Sequence, residues 1–142
     1  MPMIRLTVPT GSLTEEGRSR VRRDLAAAVL RWEEFPDTPF FRGLSWSYLI
    51  ELPEGAQGTS EDDEPRFLVE VTVPQGPPPA RDKTGLVADV TAVVLDAAGL
   101  SARDAARVWV LVHEQPEGSW GAAGSVVRHA DLAALASAQA TP

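Results

Sequence analysis

The sequence predicts an α+β fold in which two tandem β-α-β repeats form a four-stranded sheet with two helices on one face. The main observation is an internal repeat, because residues 4–11 (IRLTVPTG) resemble residues 69–76 (VEVTVPQG), with Thr, Val, Pro and Gly at equivalent places. The same offset continues through Leu30 and Leu95. A repeat of this length indicates two copies of one supersecondary unit.

The similarity resumes in the second half of each copy after a shift of two residues. Trp46 corresponds to Trp109, and the Pro-Glu-Gly at 53–55 corresponds to the Pro-Glu-Gly at 116–118. Because turns recur as well as helices, we interpret the chain as a duplicated strand-helix-strand unit.

Each copy opens with an alternating strand that ends at a Pro-x-Gly turn. Period-2 alternation is typical of a strand with one buried face. The apolar positions are Ile4, Leu6 and Val8 in the first copy and Val69, Val71 and Val73 in the second.

An amphipathic helix is predicted next in each copy. Thr14, followed by two acidic residues, suits the N-terminus of the first helix. Pro79 fits the opening turn of the second, and Gly99 closes it. The apolar stripes are Val21, Leu25, Ala28, Val29 and Trp32, and Leu86, Val90, Val93, Val94 and Ala97.

The second strands are predicted from Leu44 to Leu52 and from Arg107 to Glu114. Strands joined by a helical crossover lie parallel, and the connection is right-handed. In the last strand, Val108, Val110 and Val112 alternate with Trp109, Leu111 and His113. Helices can cover only one of these two largely apolar sets, so the other predicts packing in a symmetric oligomer.

We expect a single domain over residues 1–142. Repeat one spans 2–58, an acidic linker spans 55–66, repeat two spans 67–127, and a tail at 128–142 forms a short helix that frays. The four consecutive acidic residues at 61–64 are interpreted as a solvated loop.

Composition excludes several classes of function. The chain contains no cysteine, which rules out disulfides, thiolate catalysis and Cys-ligated metals. Its net charge of −7 disfavours binding to a nucleic-acid backbone. The absence of a long apolar run predicts a cytoplasmic protein. His113 and His129 do not make a metal site by themselves, and we interpret both as structural.

Pro2 is the one residue that distinguishes the copies chemically, since Phe67 stands at the equivalent place. If Met1 is removed, Pro2 becomes a terminal secondary amine with a reference pKa near 8. Burial in an apolar site disfavours the charged form and lowers that pKa, so the amine could transfer protons at neutral pH.

The chain resembles the tautomerase superfamily. The resemblance rests on the opening MPMI strand, the turn at Gly11, the amphipathic helix, the strand ending in Glu-x-Pro-x-Gly, and a hairpin with Trp120, Gly121 and Gly124. That superfamily includes 4-oxalocrotonate tautomerase, macrophage migration inhibitory factor, malonate semialdehyde decarboxylase and the cis-3-chloroacrylic acid dehalogenases. The resemblance implies a cofactor-independent homotrimer whose N-terminal proline is the catalytic base or acid.

Other catalytic positions of the superfamily are not matched. An arginine that holds the substrate carboxylate is replaced by Ser12 and Pro77, and a histidine of the dehalogenases is replaced by Val29. Arg107 and Arg42 are candidate substitutes, because strand alternation would turn them to the faces of Trp109 and Trp46, while Arg5 is expected on a different face from Arg107.

Two aromatic residues complete the predicted substrate site. The resemblance places Trp120 as an apolar wall beside Pro2. Tyr48 could donate a hydrogen bond to an enolate, or serve only as a buried aromatic.

The resemblance implies an isomerase in which neutral Pro2 moves a proton on a small 2-oxo acid or its enol. Two alternatives remain. Protonated Pro2 could act as an acid in hydration, dehalogenation or decarboxylation, or the chain could form a catalytically silent trimer that binds a partner or metabolite.

Overall fold

The computed structural model describes residues 1–76 and 82–140, so Pro77 and Pro79 lie outside the described residues. The elements in chain order are β1 (Met3–Pro9), α1 (Glu15–Glu33), α2 (Pro39–Leu44), β2 (Trp46–Leu52), β3 (Phe67–Pro74), α3 (Thr84–Ala98), a 3₁₀ helix (Ala102–Arg107), β4 (Val108–Gln115), β5 (Gly121–Ala122), β6 (Ser125–Val126) and α4 (His129–Ala140).

Strands β1 to β4 form one mixed sheet in the order β2-β1-β3-β4. Strand β1 lies parallel to β2, and β3 lies parallel to β4. The two repeats meet where β1 pairs antiparallel with β3, with Leu6 opposite Val69. The predicted sheet of two parallel β-α-β units is therefore confirmed.

Helices α1 and α3 cover one face of the sheet, as the two apolar stripes predict. The buried cluster draws on both helices and on the alternating residues of β1 and β3. Complete burial of such aliphatic side chains stabilises the fold by about 1.5–3 kcal/mol each. Its fully buried members include Ile4, Leu6, Val21, Leu25, Val29, Val69, Val71, Leu86, Val90 and Val94.

The opposite face of the sheet is uncovered in the single chain, and we call it the open face. Its exposed apolar residues are Trp46 (62%), Tyr48 (45%), Trp109 (71%) and Leu111 (44%). In contrast, Val108 is buried, and Val110 and Val112 pack against the core. The helices therefore cover only one of the two apolar sets on β4, as expected.

The ends of the two long helices agree with the sequence signals. The hydroxyl of Thr14 caps α1 by accepting a hydrogen bond from the N–H of Gly17 at 2.9 Å. Gly99 ends α3 in the left-handed conformation, with φ of 67°. These ends also touch, because the N–H of Thr14 donates to the carbonyl oxygen of Ala97 at 3.0 Å.

The second strands begin later than expected, which corrects two predictions. Leu44 and Arg42 belong to α2 rather than to β2. Thr38 caps this helix and Pro39 occupies its first turn, a combination that favours a helix start. In the second repeat, Arg107 ends the 3₁₀ helix and β4 begins at Val108.

The acidic linker folds back on itself. The Thr59 hydroxyl accepts hydrogen bonds from the N–H groups of Glu61 and Asp62, each at 3.1 Å. The carboxylate of Asp62 pairs with Arg66, whose guanidinium holds the pKa of that carboxyl below its usual range. Beyond the second repeat, the predicted tail helix is present as α4.

We expect Gly17→Ala to destabilise the fold by about 1–3 kcal/mol or more, the usual effect of overpacking. A Cβ at position 17 would lie 2.0 Å from the carbonyl oxygen of Ala97. Gly85→Ala is the matched control, because it lies in the first turn of α3 with nothing within 4 Å of its added Cβ. Chemical denaturation of both variants measures the difference, and equal stabilities would contradict this close approach of α1 to α3.

Candidate active site at the start of strand β1

Pro2 is buried immediately before β1. It continues the alternation of that strand, in which Ile4 and Leu6 are buried beneath the helices. Its carbonyl oxygen accepts a hydrogen bond from the N–H of Trp46 at 3.0 Å. The first residue of β2 therefore fixes the backbone of Pro2 on the helix side of the sheet.

Glu33 is the acidic group beside the chain terminus. Its Oε2 lies 3.8 Å from the amine of Met1, and its side chain is only 6% exposed. Glu33 is the last residue of α1, and Glu34 follows it in the left-handed conformation. The end of α1 thus brings a buried carboxylate to the start of β1.

Glu33 is not among the site residues predicted from the sequence, although the sequence contains a signal for it. Residues 21, 25, 29 and 33 follow one another at spacings of four, which places Glu33 on the same stripe as Val21, Leu25 and Val29. A carboxylate on the buried stripe of a helix is uncommon unless it has a partner. That departure from the apolar pattern marks the position.

The terminal amine experiences two opposing influences. Burial lowers the pKa of the Met1 amine below its ordinary value of 8.0, and the negative charge of Glu33 raises it, with burial the stronger influence. A larger share of the amine is therefore uncharged at neutral pH than in an exposed peptide. An uncharged amine is a base able to accept a proton.

Trp120 lies in the β5–β6 hairpin, which follows the end of β4. Its carbonyl oxygen accepts a hydrogen bond from the N–H of Val127 at 2.8 Å, and its side chain is half-buried. Met3 of β1 pairs with Thr72 of β3, and Thr72 pairs with His113 of β4. Strand β4 therefore finishes at the same end of the sheet at which β1 begins. The hairpin, which follows β4 in the chain, therefore begins at the same end of the sheet as Pro2.

Tyr48 lies on the open face, whereas Pro2 is buried on the helix side. Tyr48 pairs with Arg5 of β1 in the parallel register. A single chain therefore does not bring Tyr48 to Pro2. The placement of Arg5 also corrects an expectation, because Arg5 alternates with the buried Ile4 and Leu6 and so shares the open face with Trp109.

Arg107 does not have the strand position on which its candidacy was based. Its Nε donates to the carbonyl oxygen of Pro65 at 2.9 Å, and its Nη1 donates to the carboxylate of Asp104 at 3.3 Å. These bonds attach the end of the linker to the start of β4. The guanidinium is thus engaged by its own chain.

Arg42, which α2 displaces from the expected strand, borders a cleft of about 520 Å³ between α1 and β2. Its Nη1 donates to the carboxylate of Asp37 at 2.7 Å. We call this the arginine cleft, and its lining includes three arginines and two aspartates, together with Leu30, Ser45 and Ser47: Arg22, Arg23, Arg42, Asp24 and Asp37. Ser45 directly precedes Trp46, the first residue of β2, whose N–H binds the carbonyl oxygen of Pro2. The arginine cleft therefore lies beside the start of β2.

Two further features concern metal binding and membrane insertion. Across residues 1–76 and 82–140, no group of three or more His, Asp or Glu side chains is placed to hold a metal ion. No helix within the same ranges has the length and apolar character needed to cross a membrane.

Comparison with known proteins gives a consistent result. Residues 68–130 match the Tautomerase family, described as tautomerase enzyme. This segment is the second repeat and less than half of the chain. No curated protein matches the chain in sequence.

Solved structures match across both repeats. The chain resembles Pt0534 inactivated by 2-oxo-3-pentynoate, with a TM-score of 0.73, 19% identity, and coverage of 90% of this chain and 97% of that one. It also resembles the Q0 fused 4-OT symmetric trimer, with a TM-score of 0.71, 17% identity, and coverage of 93% and 98%.

A third similar structure is N1, a member of the cis-3-chloroacrylic acid dehalogenase family, with a TM-score of 0.69, 21% identity, and coverage of 88% of this chain and 82% of that one. At these identities the likeness establishes the fold. The resemblance to the tautomerase superfamily is thereby confirmed: the whole chain has the fold of that superfamily, and its second repeat matches the Tautomerase family.

Proposed function

We propose that the protein is a cofactor-independent enzyme of the tautomerase type, in which Pro2 becomes the terminal amine after Met1 is removed and transfers a proton on a small 2-oxo acid or its enol. The observation that supports this most is the burial of the chain terminus at the start of β1, which lowers the pKa of its amine. Burial of this kind is how a general base is matched to neutral pH.

The proposed reaction begins with the neutral amine of Pro2. The amine nitrogen takes a proton from carbon or oxygen of the substrate, so a C–H or O–H bond breaks and an N–H bond forms. The electron pair left behind is delocalised over the 2-oxo group as an enolate. The ammonium then returns the proton to a different atom, which regenerates the amine.

Three other residues have proposed roles. Trp120 forms an apolar wall that limits solvation of the amine, and Tyr48 donates a hydrogen bond to the enolate. Each of the two candidate arginines already pairs with an aspartate, but the Arg42 side chain is 55% exposed on the arginine cleft and is therefore the better anchor for the carboxylate. Arg107 is the less favoured anchor, since its side chain is only 18% exposed and also binds the Pro65 carbonyl oxygen.

A homotrimer is the proposed assembly. Exposed apolar side chains of this size mark an interaction site, and the open face contains two tryptophans that are more than 60% exposed. The fused 4-OT proteins of the same fold are trimers in their solved structures. Contact through the open face could also bring Tyr48 of one chain toward the site of another, which a single chain does not achieve.

A second candidate function uses the same amine in its protonated form. The carboxylate of Glu33 at 3.8 Å favours the ammonium, which is the form required of an acid in hydration, dehalogenation or decarboxylation. Release of halide or carbon dioxide from an unsaturated acid would distinguish this chemistry from tautomerisation.

We expect 2-oxo-3-pentynoate, which inactivates Pt0534, to label the processed protein at Pro2. A neutral terminal amine adds to the electrophilic alkyne, so intact mass rises by one reagent molecule. The labelling rate should increase with pH through a pKa below about 8. Chain that retains Met1 has an amide at Pro2 and is the matched control. Equal labelling of Pro2 in both forms would contradict the proposed role of the amine.

We expect the protein to sediment at three times its chain mass of 15.2 kDa. Trp109→Glu should dissociate the trimer, because it places a charge in the middle of the proposed interface. Val87→Glu, which changes a 38% exposed apolar residue on α3, is the control and should leave the mass unchanged. A monomeric parent protein, or equal dissociation by both variants, would exclude the open face as the interface.

Arg42→Ala should raise the concentration of 2-oxo-3-pentynoate needed for half-maximal labelling by about tenfold, since a charge-assisted hydrogen bond contributes about 1.5–3 kcal/mol. Arg107→Ala should chiefly lower the free energy of unfolding, because it releases the Pro65 carbonyl oxygen. Arg103→Ala, on the exposed 3₁₀ helix, is the control. The reverse pattern, with the larger change in labelling for Arg107→Ala, would identify Arg107 as the anchor.

A further inference from the structure

Glu33 is the buried acidic residue for which the proposed reaction has no use. It ends α1 on the apolar stripe of that helix and is 6% exposed. Its neighbour Glu34 has the same chemistry but is exposed. The Oε2 of this buried carboxylate lies 3.8 Å from the amine of Met1, so the chain terminus is one of its partners.

We propose that Glu33 is a positioning residue for the terminal amine, which holds the ammonium form in place on Met1 and, after processing, on Pro2. The first half of this proposal rests on the contact itself. The second half rests on the proposed function, because it assumes that Pro2 is the amine that reacts.

The electrostatics follow from burial. Removing an ammonium from water disfavours it, and an opposite charge within about 4–6 Å favours it by about 1–3 in pKa. Both influences act on the Met1 amine, and Glu33 is the charged group that opposes burial. Without Glu33, burial would lower the pKa of the amine further, because the opposing charge would be gone.

Within residues 1–76 and 82–140, the charged residues of α1, α2 and β1 at this end of the molecule pair elsewhere or are exposed. Arg31 in the last turn of α1 pairs with Asp89 of α3 at 4.0 Å. Arg42 of α2 pairs with Asp37 at 2.7 Å. Arg5 of β1 lies on the open face, and Glu34 is exposed.

After removal of Met1 the terminal amine is that of Pro2, which is buried on the same side of the sheet as α1. The secondary ammonium of Pro2 carries two hydrogens, and a carboxylate can accept one while the other faces the substrate. Glu33 would then orient the amine as well as set its charge. Because Glu33 also repels a substrate carboxylate, the proposed reaction needs a cationic anchor, for which Arg42 is the candidate.

The test is a direct titration of the terminal amine by NMR in protein labelled with ¹⁵N at the first residue. We expect Glu33→Gln to lower the amine pKa by about 1 or more, in the Met1 form and in the processed form alike. Glu34→Gln is the matched control and should leave it unchanged. Equal pKa values in the parent protein and Glu33→Gln, or equal changes in both variants, would overturn the proposal.

Glu33→Asp provides a second measurement that does not depend on the folding of the glutamine variant. It keeps the charge but withdraws it by one methylene, so the amine pKa should fall between those of the parent protein and Glu33→Gln. In the processed enzyme, the midpoint of the pH dependence of labelling should move to lower pH by the same amount. An amine pKa in Glu33→Asp equal to that of the parent protein would count against the contact.

The two proposals fail in different ways. If the titration responds to Glu33 but Pro2 is never labelled, the charge pair is real and the catalytic function is wrong. If Pro2 is labelled but its pKa ignores Glu33, the catalytic proposal stands and the positioning role is excluded.

Discussion

The antiparallel pairing of β1 with β3 is the constraint on which the rest of the structure depends. Each β-α-β unit has one strand with an apolar face that its own helix only partly covers, and a two-stranded unit is marginal alone. Pairing β1 with β3 joins the units so that α1 and α3 lie side by side on one face. The same pairing brings the end of β4 and its hairpin to the end of the sheet where β1 begins. One set of backbone hydrogen bonds thus places the chain terminus, the hairpin and the end of α1 at the same end of the sheet.

Helices α1 and α3 pack so closely that a single added atom would clash between them. The N-terminus of α1 meets the C-terminus of α3 at Gly17 and Ala97, and at the other end the Trp32 indole N–H donates to the carbonyl oxygen of Asp82 at 2.9 Å. Positions 17 and 82 are equivalent in the two repeats, as are 32 and 97. Duplication has thus kept the geometry of this contact while the residues that make it have diverged, with a close backbone approach at one end and a hydrogen bond at the other.

The fold could be predicted from the sequence because its signals repeat. Alternating strands, apolar stripes, the Thr14 cap and Gly99 each have a local physical meaning, and the second copy checks the first. The site was less accessible, because strand alternation is informative only within a strand. Thr38 and Pro39 start a helix that removes Arg42 from β2, and Arg107 stops one residue short of β4, so neither arginine lies in the strand on which its predicted orientation was based. Glu33 was missed because its significance depends on the chain terminus, which is distant in sequence and lies beside it only in the folded chain.

Burial of a chain terminus is ordinarily unfavourable, and here the fold makes it unavoidable. Strand β1 occupies an interior position in the sheet, flanked by β2 and β3, so the residue before it enters the layer between sheet and helices. The N–H of Trp46 fixes the carbonyl oxygen of Pro2, and the end of α1 places Glu33 beside the amine. An amine in this position must either lose its proton or find a counter-charge, and the structure provides for both. Burial favours the neutral amine and Glu33 favours the ammonium, and the proposed proton transfer uses both forms.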